Sequence, residues 1–116
     1  MDIFKNLHSF EKRNSECGRI LKKHPERIPV VVCKGDKEKT LQDIDKQKYL
    51  VPQDMQLSQF IFVIRNRIKL KPEQALFILI DHNLVPGNKQ LQEIYNSYKD
   101  IDGFLYMTYS SENTFG

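Results

Sequence analysis

The residue best placed to do chemistry is the last one. Gly116 closes a polar run, residues 110–115, that follows the apolar stretch Phe104-Leu105-Tyr106-Met107-Thr108-Tyr109. Glycine has no Cβ, so a carboxylate carried on it can thread a narrow cleft and be joined to a thiol or an amine without steric crowding. Glycine is also about 7% of average composition, so the terminus alone raises the question without answering it.

No other constellation offers competing chemistry. His8, His24 and His82 stand in unlike local contexts, and there is neither a Gly-x-Ser-x-Gly turn nor a phosphate-cradling glycine loop among the five glycines. Cys17 and Cys33 form no CxxC or Cys/His metal spacing, so they are expected as free thiols, with no metal and no cofactor. The chain therefore shows no catalytic arrangement of its own and is not expected to be an enzyme.

Charge is uneven. Sixteen of the 18 Lys and Arg but nine of the 15 acids fall at or before Lys71, which leaves that stretch at +7 and the remainder, with two cations and six acids, at −4. A basic portion can steer acidic partners, anionic lipid or nucleic acid, or be a solvated face. Nucleic acid fits poorly: the aromatic strand 104–109 has Asp102 where an RNA-reading strand carries a cation, and its surroundings are acidic. No stretch reaches the ~20 apolar residues of a membrane span, and residues 1–5 lack the pattern of a secretory leader, so a cytosolic start is expected.

The elements that must position the tail follow from patterning. Ile3, Phe4 and Leu7 predict a short amphipathic helix, too short to be stable alone and expected to pack weakly as a detachable accessory. Ser9 caps a second helix that Pro25 ends near His24. The β-branched run 28–33 is a strand, and 49–52, with Lys46 and Lys48 beside it and Pro52 at its end, is an edge strand. Leu57, Phe60, Ile61, Ile64 and Ile68 give the strongest helical period in the chain. A central strand at 75–80, a helix capped by Asn88, and a last strand at 104–109 complete the order helix, helix, then β-β-α-β-α-β. The class is α+β, with the element order of a β-grasp behind two extra helices. One domain is expected, with a helical extension at 1–25, a core at 26–109 and a tail at 110–116.

Phe10-Glu11-Lys12-Arg13, the run His24-Pro25-Glu26-Arg27-Ile28-Pro29-Val30, Lys48-Tyr49-Leu50-Val51-Pro52, Gln59-Phe60, Ile64-Arg65-Asn66-Arg67-Ile68, Ala75-Leu76-Phe77, Asp102-Gly103-Phe104-Leu105-Tyr106 and Phe115-Gly116 resemble, in order, the autophagy ubiquitin-like modifiers of the GABARAP and microtubule light-chain type. The resemblance implies a ubiquitin-like β-grasp whose terminal glycine, here Gly116, is activated, passed through thioesters and conjugated to phosphatidylethanolamine. It implies as partners the activating, transfer and ligase-like enzymes, a processing or deconjugating cysteine protease, and phosphatidylethanolamine membranes. It places the protein in the cytoplasm and, once lipidated, on autophagosomal or other vesicle membranes.

The resemblance also implies that the edge strand accepts aromatic-x-x-aliphatic peptides of receptors and adaptors. Glu16, Ile20, Pro29, Val31, Lys48, Leu50 and Phe104 would take the aromatic side chain. Tyr49, Val51, Pro52, Met55, Phe60 and Val63 would take the aliphatic one, and Arg27, Lys46, Lys48 and Arg67 would meet acidic flanks. Without the family, the apolar members read as ordinary core and the cations as a solvated face. Gln56, where the family commonly has a capping hydroxyl, predicts a weaker start to the main helix, and Met55 and Val63 predict an altered aliphatic pocket. The alternative function is a peptide-binding adaptor whose tail is never conjugated.

Overall fold

The structure, a computed structural model, describes residues 3–111, the Ile3 side chain excepted. Its elements are α1 (Ile3–Leu7), α2 (Phe10–Lys23), β1 (Arg27–Lys34), β2 (Lys48–Pro52), α3 (Leu57–Arg67), β3 (Phe77–Ile80), β4 (Asn83–Leu84), α4 (Leu91–Tyr98) and β5 (Leu105–Ser110). The sheet runs β2-β1-β5-β3-β4, with β1 and β5 parallel and every other neighbour antiparallel.

β1 is apolar along its length because both of its faces are covered. Ile28, Val30 and Val32 point into the main core with Leu57, Phe60 and Ile64 of α3, while Val31 and Cys33 point the other way onto Phe4, Cys17 and Phe104. Two apolar layers thus share one strand, and alternation along it decides which layer each side chain joins.

The α3 period reads out as burial. Leu57, Phe60, Ile64 and Ile68 are buried, while Phe62 and Val63 face solvent. The starts of α3 and α4 satisfy each other's unpaired donors, a need common to every helix N-terminus. Leu57 and Ser58 N–H donate to Lys89 and Gly87 carbonyls at 2.9 Å each, and Leu91 and Gln92 N–H donate to Met55 and Gln53 carbonyls at 2.8 and 3.0 Å. Gln56 makes no side-chain cap bond, in line with the missing hydroxyl, and the helix start is supported instead by Gln59, whose Oε1 accepts from the Gln56 N–H at 2.9 Å.

Three expectations are corrected. The cap of α4 is Gln90, whose N–H donates to Glu93 Oε1, and not Asn88. A strand absent from the predicted order, β4, pairs with β3 through Asp81 and His82, both at positive φ (50° and 64°), the geometry a two-residue hairpin demands. α1 is docked rather than loose: Phe4 is 3% exposed, edge-on to Phe104 at 5.6 Å, and Lys5 Nζ lies 2.7 Å from Asp100.

α2 is held from beneath by a buried charge. Asp102, fully buried, accepts from the Phe104 N–H, the Tyr106 hydroxyl and the Arg13 guanidinium, the last at 2.8 Å. The next residue must be glycine. Gly103 has φ +98°, and a Cβ there would meet Cys17 Sγ at 2.6 Å, so the helix can close onto β5 only where a side chain is missing.

Candidate peptide-binding edge and the root of the tail

β2 lies at the rim of the sheet, as its lysines and proline predict. Val32 N–H donates to the Gln47 carbonyl at 2.8 Å, which fixes the phase of the ladder. Pairs two residues on, Val30 with Tyr49 and Ile28 with Val51, exchange bonds inward, so the main-chain groups of Lys48 and Leu50 turn to the open side. Pro29 costs no ladder bond, because pairing of β1 with β5 begins only at Val30. The open edge is partly guarded: Arg27 Nη1 donates to the Leu50 carbonyl at 3.2 Å.

Burial along β2 alternates, with Lys48 and Leu50 exposed and Tyr49 and Val51 buried. On the exposed side, Val31 and Phe104 form a fully buried floor and half-buried Ile20 leans on it. Glu16 of α2 reaches Lys48 at 2.7 Å across the mouth, and Pro29 lies opposite Leu50 in the register. The seven residues expected around an aromatic side chain thus belong to β1, β2, α2 and the residue just before β5. Phe4 also joins this cluster; the amphipathic pattern of α1 marks it as apolar but does not say that it covers the floor beside the edge strand.

On the other side the second set is split. Tyr49, Val51 and Phe60 are core, with the Tyr49 ring edge-on to Phe60 at 5.4 Å. Met55 and Pro52 are half-buried and Val63 is 38% exposed, so these three are the members a ligand can reach. The Tyr49 hydroxyl is buried with no hydrogen-bond partner among the described residues, and burial pushes its pKa up. The hollow at the Arg27 end of the edge, about 240 Å³, is lined by Glu26, Arg27, Pro52, Gln53 and Asp54, and so shares Pro52 with the aliphatic set and Arg27 with the expected cations.

The four cations expected to meet acidic flanks already have intramolecular neighbours. Arg67 makes two bonds of 3.1 Å to Asp45, which hold that carboxyl below its ordinary pKa. Lys48 pairs with Glu16, Lys46 sits 5.0 Å over the Tyr49 ring, and Arg27 covers Leu50. An acidic peptide would exchange these contacts for its own.

Gly116 lies outside the described residues, but the root of its tail does not. Glu38, in the β1–β2 connection, accepts hydrogen bonds from the backbone of Ser111 and Leu41 and from the Ser111 and Thr40 hydroxyls. Partial burial works against its charge, but these donors outweigh it and hold the carboxyl at about 2, well below its ordinary 4.5. Sequence reasoning missed Glu38 because its donors lie up to 73 residues away.

A mixed sheet with a parallel central pair, wrapped on α3 and backed by two N-terminal helices, is a ubiquitin-like β-grasp. Residues 12–116 match the family described as autophagy protein Atg8, ubiquitin like. Autophagy-related protein 8e of Arabidopsis thaliana is 54% identical over 114 residues, covering 98% of this chain and 93% of that one. Autophagy-related protein 8 of Mycosarcoma maydis is also 54% identical, over 97% of this chain and 95% of its own. The crystal structure of Trypanosoma brucei ATG8 superposes with a TM-score of 0.90 at 40% identity, over 100% of this chain and 99% of that one. The chain belongs to the Atg8 family, the ubiquitin-like modifiers of autophagy.

Proposed function

We propose that Gly116 is the point of covalent attachment to phosphatidylethanolamine and that the β2 edge recruits receptors and adaptors through short aromatic-x-x-aliphatic segments. The observation that carries the first part is that the family match runs through residue 116, the glycine itself. A carboxylate is a poor electrophile, so a partner enzyme converts it with ATP to an acyl adenylate, releasing pyrophosphate. A cysteine thiol of that enzyme then displaces AMP to give a thioester, which passes to a transfer enzyme. The lipid amine attacks the thioester carbonyl, the thiolate leaves, and an amide remains. The chain contributes the acyl group and no catalytic side chain, a modifier rather than an enzyme. It works from the cytoplasm and is held on vesicle membranes once lipidated.

Peptide recognition uses the outward main chain of Lys48 and Leu50, to which an extended segment adds as a further strand. Its aromatic side chain lies toward Val31 and Phe104 and its aliphatic one toward Met55 and Val63, with Arg27 released from the Leu50 carbonyl to meet an acidic flank. The attachment is tested by incubating wild type and a Gly116-deleted chain with the conjugation enzymes, ATP and phosphatidylethanolamine liposomes. Wild type alone is expected to become membrane-bound through a covalent bond, and equal lipidation of the truncated chain would refute it.

A further inference from the structure

Glu38 belongs to neither the edge nor the sets of residues beside it. Its Oε1 accepts from the Ser111 N–H at 2.6 Å, the Ser111 hydroxyl at 2.8 Å and the Ser110 hydroxyl at 3.3 Å. Its Oε2 accepts from the Thr40 N–H and hydroxyl at 2.9 Å each and from the Leu41 N–H at 2.8 Å. One carboxylate thus joins the last residues of β5 to the β1–β2 connection. The same connection grips the strand one step earlier: Gly35 N–H donates to the Tyr109 carbonyl at 2.9 Å, and the Tyr109 hydroxyl donates to the Gln42 carbonyl at 2.6 Å.

Five positions follow Ser111. Fully extended, they carry the terminal carboxylate at most about 17 Å from the clamp, and a tail freed from Ser110 onward would reach about 24 Å. We infer that Glu38 is a positioning residue for acyl transfer from Gly116, setting the point from which the tail leaves the domain. A domain docked by its body on an activating enzyme then presents the carboxylate within a small volume. Loosening the root enlarges that volume and dilutes the carboxylate at the reacting centre. The inference rests on the reading of Gly116 given above.

The test pairs two measurements on the full chain and on Glu38→Gln. The amide group of glutamine has one accepting end, so either the Ser111 or the Thr40 and Leu41 donors lose their acceptor. Hydrogen exchange, which needs no conjugation, is expected to be at least tenfold faster in the variant at the Ser111 amide or at the Thr40 and Leu41 amides, whichever set faces the glutamine NH2, with the Val30 and Tyr49 amides unchanged. In single-turnover and steady-state charging of the activating enzyme, kcat is expected to fall about tenfold with KM within about twofold, because body docking is untouched. Should Glu38→Gln fail to fold, Ser111→Ala removes one hydroxyl donor and no backbone bond, and the same two changes are expected at smaller amplitude. Unchanged exchange at the Ser111, Thr40 and Leu41 amides alike would overturn the clamp, and faster exchange with wild-type charging would overturn its positioning role. A wild type that is never charged would overturn the Gly116 reading and the positioning role with it.

Discussion

Replacing Gly103 with alanine tests how α2, which carries Glu16 and Ile20 to the edge site, is held on the sheet. Two separate penalties follow from the geometry. At φ +98° an alanine is strained by roughly 1–2 kcal/mol, and its Cβ would stand 2.6 Å from Cys17 Sγ, an overlap that forces α2 outward at a further ~1–3 kcal/mol. The total is about 2–5 kcal/mol, which at roughly 4 °C per kcal/mol lowers the melting temperature by some 8–20 °C. The parts separate in a double-mutant cycle with Cys17→Ala, which deletes the sulfur and leaves only the Cys17 Cβ, 3.3 Å from the new methyl. Denaturant unfolding of the four chains is expected to show the double mutant about 1–2 kcal/mol more stable than the sum of the single changes, the steric share being relieved and the backbone share remaining. Strict additivity would refute the contact. Wild-type affinity for an edge-strand peptide in Gly103→Ala would refute the dependence of the site on α2.

Leu50→Ala is expected to weaken an aromatic-x-x-aliphatic peptide about tenfold in calorimetry with no loss of fold, since Leu50 is 36% exposed; unchanged affinity would remove it from the site. Tyr49→Ala is the poorer probe, because that ring is packed on Phe60 and its loss unfolds as well as unbinds. Peptides with acidic flanks should bind faster and tighter than neutral ones and lose that advantage with salt, as the screening length falls from about 10 Å at 0.1 M to about 3 Å at 1 M. Because Lys48 and Arg67 are already paired with Glu16 and Asp45, the advantage should grow in Glu16→Gln and Asp45→Asn, and stopped-flow association across a salt series reads it. The folded pKa of Glu38 is depressed, so its stabilisation is full above about pH 4.5 and is lost as pH falls toward about 2. Wild type should therefore exceed Glu38→Gln by roughly 1–3 kcal/mol at pH 7, discounted for partial exposure, and the gap should close through that acid range.

Much of the fold is legible because burial leaves a period. The α3 stripe from Leu57 to Ile68 and the doubly covered β1 announce themselves, and Pro52 with two lysines marks the rim. What stays hidden is set by partners far along the chain. β4 has two residues and a hairpin built on Asp81-His82, with no glycine to signal positive φ. The start of α4 is fixed by a backbone bridge between Gln56 and Gln90 as much as by its own side chains, so Asn88 gives a false cap. At the edge, alternation alone puts Lys48 and Leu50 on one face and Tyr49 and Val51 on the other. It says nothing of the pairing of Lys48 with Glu16, 32 positions away, or of Arg67 with Asp45, 22 away. These contacts decide which cations an incoming acid must compete for.

The central claim is that this chain is an acyl donor through its last residue. It is tested most directly by intact and tandem mass spectrometry of the chain after incubation with the activating and transfer enzymes, ATP and phosphatidylethanolamine liposomes. The predicted result is a mass increase of one phosphatidylethanolamine less one water, localised by fragmentation to Gly116 and absent when ATP is withheld. An unmodified C-terminal peptide from a reaction in which another Atg8 relative is fully lipidated, or a lipid found on any residue other than Gly116, would contradict it.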